Sequence, residues 1–248
     1  MQDGAQDGAQ DGQARPEDRR QSGAPLIPAY VLGCGGAGIA CVREAKERIA
    51  TFLGAPRPDG RDEPELPDLL QFHGLDTVPW SSSEGVARLR PSEYTPPGGF
   101  NAGMVIDTMR RSQDTEGRAR RYREIQRWWD SDIDPGVVSQ GARQIRPIGR
   151  LAFYYGFRQF QRAFHDKLDR LRGIAAREEA ERQGYEVLAR TGEMKVYVIT
   201  SLCGGTGSGM FMDVAAWVRH VLQDQARLVA VLLMPSVFTL AIDADVQR

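Results

Sequence analysis

Two glycine clusters, each between a strand-like apolar run and a helix-like run, hold the residues best suited to chemistry. The first spans residues 33–38 (GCGGAG), and the second spans residues 203–209 (CGGTGSG). Glycine lets a backbone approach a ligand closely, and a helix N-terminus leaves N–H groups unpaired and carries partial positive charge. Both loops are therefore suited to binding phosphate groups.

The two loops differ in how specific their signals are. The first fits G-x-G-x-x-G through Gly33, Gly35 and Gly38, so it suits either a dinucleotide site or a tight turn without a ligand. In the dinucleotide interpretation, Asp76 would accept a hydrogen bond from the ribose. The second loop is more specific, because a structural turn rarely needs so many glycines and because two hydroxyl side chains add donors. It is neither a Walker A loop nor a nucleophile elbow, since the lysine and the glycine spacing are missing.

Apolar periodicity places both loops in an α/β chain. Strand-like runs lie at 29–32, 69–73, 196–200 and 228–233, and helical spacing covers 39–52, 153–171 and 210–221. Strands that are almost continuously apolar and alternate with helices predict a Rossmann-like, doubly wound, mostly parallel sheet. Each glycine loop would then join the C-terminal end of a strand to a helix.

The composition excludes several functional classes. The chain has 248 residues with 32 basic and 33 acidic side chains, and a net charge of −1 disfavours non-specific nucleic-acid binding. No apolar run approaches the roughly 18 residues of a membrane span, and a signal peptide is not recognisable at the start. Three scattered cysteines indicate a reducing compartment and no disulfide framework or metal cluster. We therefore expect a cytoplasmic protein with no membrane span and no nucleic-acid partner.

The domain organisation is predicted from shifts in composition. Residues 1–24 contain a QDGA repeat without apolar anchors and are expected to form a disordered leader. Residues 25–248 form the predicted domain, with an insertion at about 79–140 that includes helix-like segments. Within the insertion, the adjacent Trp128 and Trp129 would face different sides of a helix, so one could pack in the core while the other serves as an exposed anchor.

The second loop and its flanks, residues 201–210, resemble the nucleotide-binding signature loop of the tubulin/FtsZ superfamily. Cys203 stands where that family usually has a small residue. The remaining resemblances occur in family order: residues 31–42 to the first phosphate loop, 72–77 to the loop near Mg²⁺, 141–150 to the γ-phosphate loop, and 229–238 to the strand and loop beside the ribose. The resemblance covers about residues 28–240 and is closest to the bacterial tubulin-like proteins.

The resemblance implies a site for GTP or GDP with Mg²⁺. Asp76 is expected near the Mg²⁺, either directly or through water. The glycine loops would hold the α- and β-phosphates, residues 142–144 would face the γ-phosphate, and residues 235–236 would lie near the ribose. Arg143 and Arg146 would either add charge at the phosphate or point to water. The implied nucleotide contacts are Gly33, Gly35, Gly36, Ala37, Asp76, Ala142, Arg143, Gln144, Gly204, Gly205, Thr206, Gly207, Ser208, Pro235 and Ser236.

Three functions follow from these observations. The first is a tubulin-like GTPase that self-associates into filaments, the second is a GTP-binding switch or scaffold that does not polymerise, and the third is an NAD- or FAD-dependent oxidoreductase based on the first loop alone. In the tubulin/FtsZ superfamily an acidic loop beyond the central helix completes hydrolysis in the next subunit. That loop is not in this sequence, so we expect an incomplete domain that binds GTP weakly and hydrolyses it negligibly. No catalytic residue is assigned, and none of His73, His165 and His220 pairs with a nucleophile motif.

Cys34 and Cys203 lie one in each glycine loop. This placement leads to the hypothesis that the two thiols come close enough for their oxidation to affect the nucleotide site.

Overall fold

Strands and helices alternate along most of the chain. The computed structural model describes residues 24–55, 65–79, 89–111, 116–130, 132–133, 138, 141–142, 144–188 and 194–238. The strands are β1 (Ala24–Leu26), β2 (Ala29–Cys34), β3 (Leu70–Leu75), β4 (Tyr94–Thr95), β5 (Tyr185–Val187), β6 (Met194–Ser201) and β7 (Ala226–Leu233). The helices are α1 (Gly35–Leu53), α2 (Ala102–Arg111), α3 (Glu116–Gln126), α4 (Arg146–Arg172), α5 (Ile174–Arg182) and α6 (Gly205–Leu222).

A five-stranded sheet in the order β4-β3-β2-β6-β7 forms the centre of the fold. Every neighbouring pair is parallel, with Ala29 of β2 opposite Leu70 of β3 on one side and opposite Lys195 of β6 on the other. Parallel strands end at the same edge of a sheet, so the segments that follow β2, β3, β6 and β7 are brought together there. The predicted mostly parallel sheet is confirmed.

The central strand β2 shows why helices cover both faces of the sheet. Its alternate residues Tyr30 and Leu32 are buried in a cluster with the apolar sides of α4 and α6. Val31 faces the other way and packs with residues of α1. Successive side chains of a strand point to opposite faces, so an almost continuously apolar strand needs a helix on each side. This arrangement confirms the doubly wound, Rossmann-like fold.

Helix α4 supplies much of the core on one face. Its apolar spacing of three and four residues predicts a buried stripe, and Phe160 and Phe164 within it are fully buried. The Phe164 ring lies 5.5 Å from the ring of Tyr30. Pro147 stands in the first turn of α4, where its missing N–H leaves no hydrogen bond unmade. Replacing either phenylalanine by alanine would cost about 3–5 kcal/mol of stability.

The region predicted as an insertion packs onto α4. Phe100, which precedes α2, Ala102 of α2 and Ile125 of α3 are buried in a second cluster with residues of α4. Trp128 and Trp129 are both half-buried against this cluster, with their ring centroids 6.4 Å apart, so neither is a fully buried core residue nor an isolated exposed anchor. The boundaries 79–140 stay a prediction.

A second, two-stranded parallel sheet of β1 and β5 was not anticipated from the sequence. It forms a small cluster with α5, in which Leu26, Ala180 and Val187 are buried. Residues 1–23 of the predicted leader lie outside the described residues, whereas Ala24 is the first residue of β1. Among the described helices, none combines the length and apolar character needed to cross a bilayer.

Candidate functional site

The loops after β2, β3 and β6 enclose a cavity of about 340 Å³ at the C-terminal edge of the sheet. Most of the nucleotide contacts implied by the sequence line it together. These are Gly35, Gly36, Ala37, Asp76, Ala142, Gln144, Gly204, Gly205, Thr206 and Gly207. Residues of both glycine loops therefore line the same cavity. A ligand that binds to both loops requires this arrangement.

Two helix N-termini face this cavity. Helix α1 begins at Gly35 directly after β2, and α6 begins at Gly205 four residues after β6 ends at Ser201. Neither helix has a side-chain cap or an acidic residue in its first turn. The N–H groups of a first turn lack partners within the helix and carry partial positive charge, so both termini can receive an anion.

Two of the glycines leave open space in front of the loops. A Cβ atom built on Gly204 would have no neighbour within 4 Å, and one on Gly36 would meet only Asp76 Oδ2, at 3.6 Å. Gly35 adopts φ +72°, a left-handed conformation that favours glycine at the start of α1. Gly36 and Gly204 are therefore the positions at which a ligand has room to approach the backbone.

The other glycines of the second loop are needed for packing. A Cβ atom on Gly205 would lie 2.5 Å from the backbone N of Ile145, and one on Gly209 would lie 2.2 Å from the carbonyl O of Arg146. A Cβ atom on Gly207 would lie 2.4 Å from the carbonyl O of Cys34. Close approach of α6 to β2 and to the start of α4 thus explains most of the glycine density. The number of glycines in the second loop is therefore weaker evidence for a ligand than the sequence suggests. The support for a ligand comes from Gly36, Gly204 and the two helix N-termini.

Asp76 is the acidic residue of the cavity lining. It follows β3, is buried, and lies on the loop that also carries Thr77. Burial raises the pKa of Asp76, although hydrogen bonds from the backbone of Thr77 and Val78 and from the Thr206 hydroxyl act in the opposite direction. A buried carboxylate that is costly to charge gains from a nearby cation, which suits the Mg²⁺ position that the resemblance implies.

The two hydroxyl side chains of the second loop have different partners. Thr206 Oγ1 lies 2.8 Å from Thr77 Oγ1, and both residues are buried. Ser208 Oγ donates to the carbonyl O of Gly204 within its own helix, and Ser208 does not line the cavity. Only Thr206 of this pair is placed at the predicted site.

Several implied contacts lie outside the cavity lining. Gly33 permits a close turn, because a Cβ atom there would lie 2.7 Å from the carbonyl of Gly38. Pro235 and Ser236 follow β7 and are exposed, while the neighbouring Phe238 lines the cavity. Arg146 is directed elsewhere, since its guanidinium donates to the carbonyl O of Leu202 at 3.1 Å. Arg143 lies outside the described residues.

Some residues of the lining were missed by sequence reasoning. They are Val78, Gly141, Ser201 and Phe238, whereas Cys34 and Cys203, which the sequence placed in the two glycine loops, also line the cavity. Each lies within two residues of an implied contact or at the end of a glycine-loop strand, so the strand ends themselves were the available signal. Burial, and then the charge of Asp76, raise the pKa of Cys34 to about 12, which keeps this thiol protonated.

The buried His73 belongs to the core and not to the cavity. Its Nδ1 lies 2.5 Å from the Tyr30 hydroxyl and its Nε2 lies 2.8 Å from Thr95 Oγ1. Burial, with a smaller contribution from Lys167, lowers the pKa of His73 well below its usual value. The neutral imidazole of His73 forms hydrogen bonds through both ring nitrogens and so links β2, β3 and β4. This structural role explains the buried histidine without a catalytic function.

Comparison with known proteins identifies a family for this chain. The sequence model of a family described as "Tubulin like" matches residues 30–248, which span both glycine loops and the strands that carry them. No curated protein and no solved structure matches the chain.

Proposed function

We propose that this chain, which belongs to the tubulin-like family, binds GTP and GDP with Mg²⁺ in the cavity between its two glycine loops. The observation that carries the proposal is the convergence of the N-termini of α1 and α6 on one cavity. The choice of guanine rests on the family, because the two loops by themselves favour only phosphate groups.

The backbone would make the principal phosphate contacts. Amide groups in the first turns of α1 and α6 point toward a shared space, and the absence of side chains at Gly36 and Gly204 leaves that space open. Several N–H groups around one anion can accommodate a polyphosphate without a lysine of the Walker type. Ala142 and Gln144 extend the lining toward the position implied for the γ-phosphate.

Asp76 is the residue that would face the Mg²⁺. The described residues include no group of three potential metal ligands, so a cation here would depend on Asp76, phosphate oxygens and water. Mg²⁺ commonly binds in this way, with few carboxylates and much of its hydration shell retained. When bound, the cation neutralises phosphate charge, and it would also offset the cost of burying the Asp76 carboxylate.

Titration with labelled nucleotides tests the binding proposal. GTP should bind more tightly than ATP or NAD, and Mg²⁺ should strengthen the binding. Gly204→Asp provides a targeted variant, because Gly204 is the extended N-cap of α6 and aspartate is a good N-cap residue. The helix should be retained or strengthened, while the new carboxylate repels phosphate and weakens GTP binding by at least about tenfold, or 1.4 kcal/mol.

Gly204→Ala is the matched control, since it adds a Cβ atom without charge at the same open position. Its effect on GTP affinity should be smaller than that of Gly204→Asp. Tighter binding of NAD than of GTP, or unchanged GTP affinity in a folded Gly204→Asp variant, would overturn the proposal.

We also propose that the full-length protein couples GTP hydrolysis to polymerisation, which membership of the tubulin-like family supports. Light scattering by the full-length gene product tests this part. A GTP-dependent rise that decays as GTP is consumed would support it. Nucleotide binding without any rise would restrict the function to a GTP-binding switch or scaffold.

A further inference from the structure

A second polar cavity lies along the open edge of β3, away from the glycine loops. Strand β4 pairs only with Gly74 and Leu75, so the first residues of β3 have no described strand beside them on that side. A cavity of about 220 Å³ occupies this position, between α1 and α4. Lys46, which lines it, is eleven residues along α1 from Gly35, about 16 Å at the rise of an α-helix. The two cavities share no lining residue among those described.

Basic side chains outnumber acidic ones in this lining. The basic residues are Lys46, Arg90, Lys167 and Arg170, and the acidic residues are Asp68, Glu93 and Asp166. Glu93 is already engaged, because its Oε2 lies 2.7 Å from Lys46 Nζ and accepts a hydrogen bond from the backbone N of Arg90 at 2.8 Å. Asp68 and Asp166 are exposed at the rim, as are Arg90 and Arg170, so the buried charged residues of the lining are Lys46 and Lys167, with Glu93 half-buried.

Lys167 is the unusual member of the set. It is only 6% exposed, and within the described part of the chain its ammonium makes no hydrogen bond or ion pair. Burial lowers the pKa of Lys167 to about 8, with Glu93 raising it and Arg170, Lys46 and Arg90 lowering it. The acidic neighbour Glu93 is shared with Lys46, so the charge of the Lys167 ammonium is only partly balanced, and a bound anion would complete that balance.

We propose that this cavity, termed the β3-edge site, binds a small phosphate-type anion through Lys167. The lining supplies the ammonium of the largely buried Lys167, which has no hydrogen-bond partner among the described residues, and the guanidinium groups of Arg90 and Arg170, which match a phosphate oxyanion in charge and hydrogen-bonding geometry. The volume of about 220 Å³ suits inorganic phosphate or a small phosphomonoester. The inference is independent of the nucleotide proposal, because it uses none of the residues of the first cavity.

Site-resolved lysine acetylation tests this proposal. Lys46, Lys167 and Lys195 are the lysines of the chain, so peptide mass spectrometry can follow each one separately. Acetylation by acetic anhydride at pH 8 is measured with inorganic phosphate, glycerol 3-phosphate or chloride at equal ionic strength. Either phosphate compound should slow acetylation of Lys167 by at least fivefold relative to chloride and leave Lys195 unchanged. Protection by glycerol 3-phosphate alone would identify a phosphomonoester as the ligand.

Variants on α4 provide the second readout. Calorimetry measures the binding of inorganic phosphate to proteins that also carry Gly204→Asp, because the new carboxylate repels phosphate at the first cavity. In this background, Lys167→Met should weaken phosphate binding at least tenfold. Arg162→Met removes one charge from the same helix outside the cavity, where Arg162 donates to the carbonyl of Arg158, and should change affinity less than twofold. Lys167→Arg keeps the charge and should retain measurable binding. Equal acetylation of Lys167 in phosphate and chloride, or equal phosphate affinity of Lys167→Met and its parent, would overturn the proposal.

Discussion

Thr206 and Thr77 join the second glycine loop to the loop after β3, with their hydroxyl oxygens 2.8 Å apart across 129 positions of sequence. Thr77 Oγ1 also donates to Asp76 Oδ1 at 3.4 Å. A short chain of hydroxyl and carboxylate groups therefore connects the start of α6 to the carboxylate proposed to face Mg²⁺. The position of Asp76 should depend on Thr206 even though the two residues are far apart in sequence.

Thr206→Val tests this dependence, because valine keeps the side-chain shape and removes the hydroxyl. We expect a loss of about 1–2 kcal/mol in the free energy of unfolding, since a buried hydrogen bond is broken. The pKa of Asp76 should rise further, because the Thr206 hydroxyl lowers it in the native protein. Urea unfolding and carboxyl NMR titration measure the two effects.

Ser208→Ala is the control for this variant. Its hydroxyl bonds within α6, and alanine favours helices, so stability should change by less than about 0.5 kcal/mol. If Ser208→Ala lowered the free energy of unfolding as much as Thr206→Val does, the hydrogen bond between Thr206 and Thr77 would have no special role.

Asp76→Asn should separate stability from nucleotide binding. The raised pKa of Asp76 means that the folded protein holds this proton more tightly than the unfolded chain does. Its contribution to stability is therefore present at low pH and is lost as the pH rises through the folded-state pKa. The asparagine side chain does not ionise, so the variant should be the more stable protein near neutral pH without ligand.

In the same variant, the factor by which Mg²⁺ strengthens GTP binding should fall at least about tenfold, because the carboxylate that faces the metal has been removed. Thermal unfolding from pH 3 to pH 7 and GTP titration with and without Mg²⁺ measure the two outcomes. Equal Mg²⁺ enhancement in wild type and variant would remove Asp76 from the proposed site.

Gly205→Ala should destabilise the fold, whereas Gly204→Ala should not. The Cβ atom of the first variant would lie 2.5 Å from a backbone atom of Ile145, which cannot move away as a flexible side chain could. We expect a loss of more than about 2 kcal/mol in the free energy of unfolding. Chemical denaturation of the Gly204→Ala and Gly205→Ala variants measures the difference in their free energies of unfolding. Similar stabilities would mean that the segments around Ile145 and Gly205 do not pack as closely as described.

The three cysteines should react with an alkylating reagent at different rates. Cys34 is buried and its pKa is raised to about 12, so at pH 8 only about one thiol in ten thousand is the reactive thiolate. Cys203 is half-buried and lines the glycine-loop cavity, while Cys41 is half-buried and does not. GTP should therefore slow alkylation of Cys203 and leave Cys41 unaffected, as peptide mass spectrometry would report.

This difference bears on the hypothesis that oxidation of Cys34 and Cys203 affects the site. A thiol held in its protonated form is a poor partner for disulfide formation. Ready formation of a Cys34–Cys203 disulfide under mild oxidation, or alkylation of Cys203 that GTP does not change, would contradict the expected environment of these thiols.

Apolar runs predicted the central strands and apolar spacing predicted the helices, but neither signal revealed the glycine-rich first turns of α1 and α6. Apolar spacing placed the start of the first helix at Ile39 and of the last at Met210, whereas α1 begins at Gly35 and α6 at Gly205. The missing first turns consist of residues with little or no side chain, so no hydrophobic pattern can reveal them. These same turns face the cavity, which the glycine motifs located.

Contacts that depend on distant backbone packing could not be predicted from local sequence. Nothing near Gly205 reveals that the backbone of Ile145 lies against it, or that Gly207 packs on the carbonyl of Cys34. Likewise, the three-residue strands β1 and β5 are too short for an alternating pattern, and each becomes a strand by pairing with the other. The buried Lys167 is equally hidden, because its sequence position looks like the polar side of a helix.

The order of the strands in the sheet constrains how this protein can fold during its synthesis. Thr200 at the end of β6 donates to the carbonyl of Cys34 at the end of β2, a contact that spans 166 positions. During synthesis, β2 leaves the ribosome long before its partner, and one edge of an apolar strand stays unpaired throughout that interval. That edge of β2 can be paired only after residue 201 has emerged, and a nucleotide bound as proposed could add its binding energy to folding only after the second glycine loop has followed.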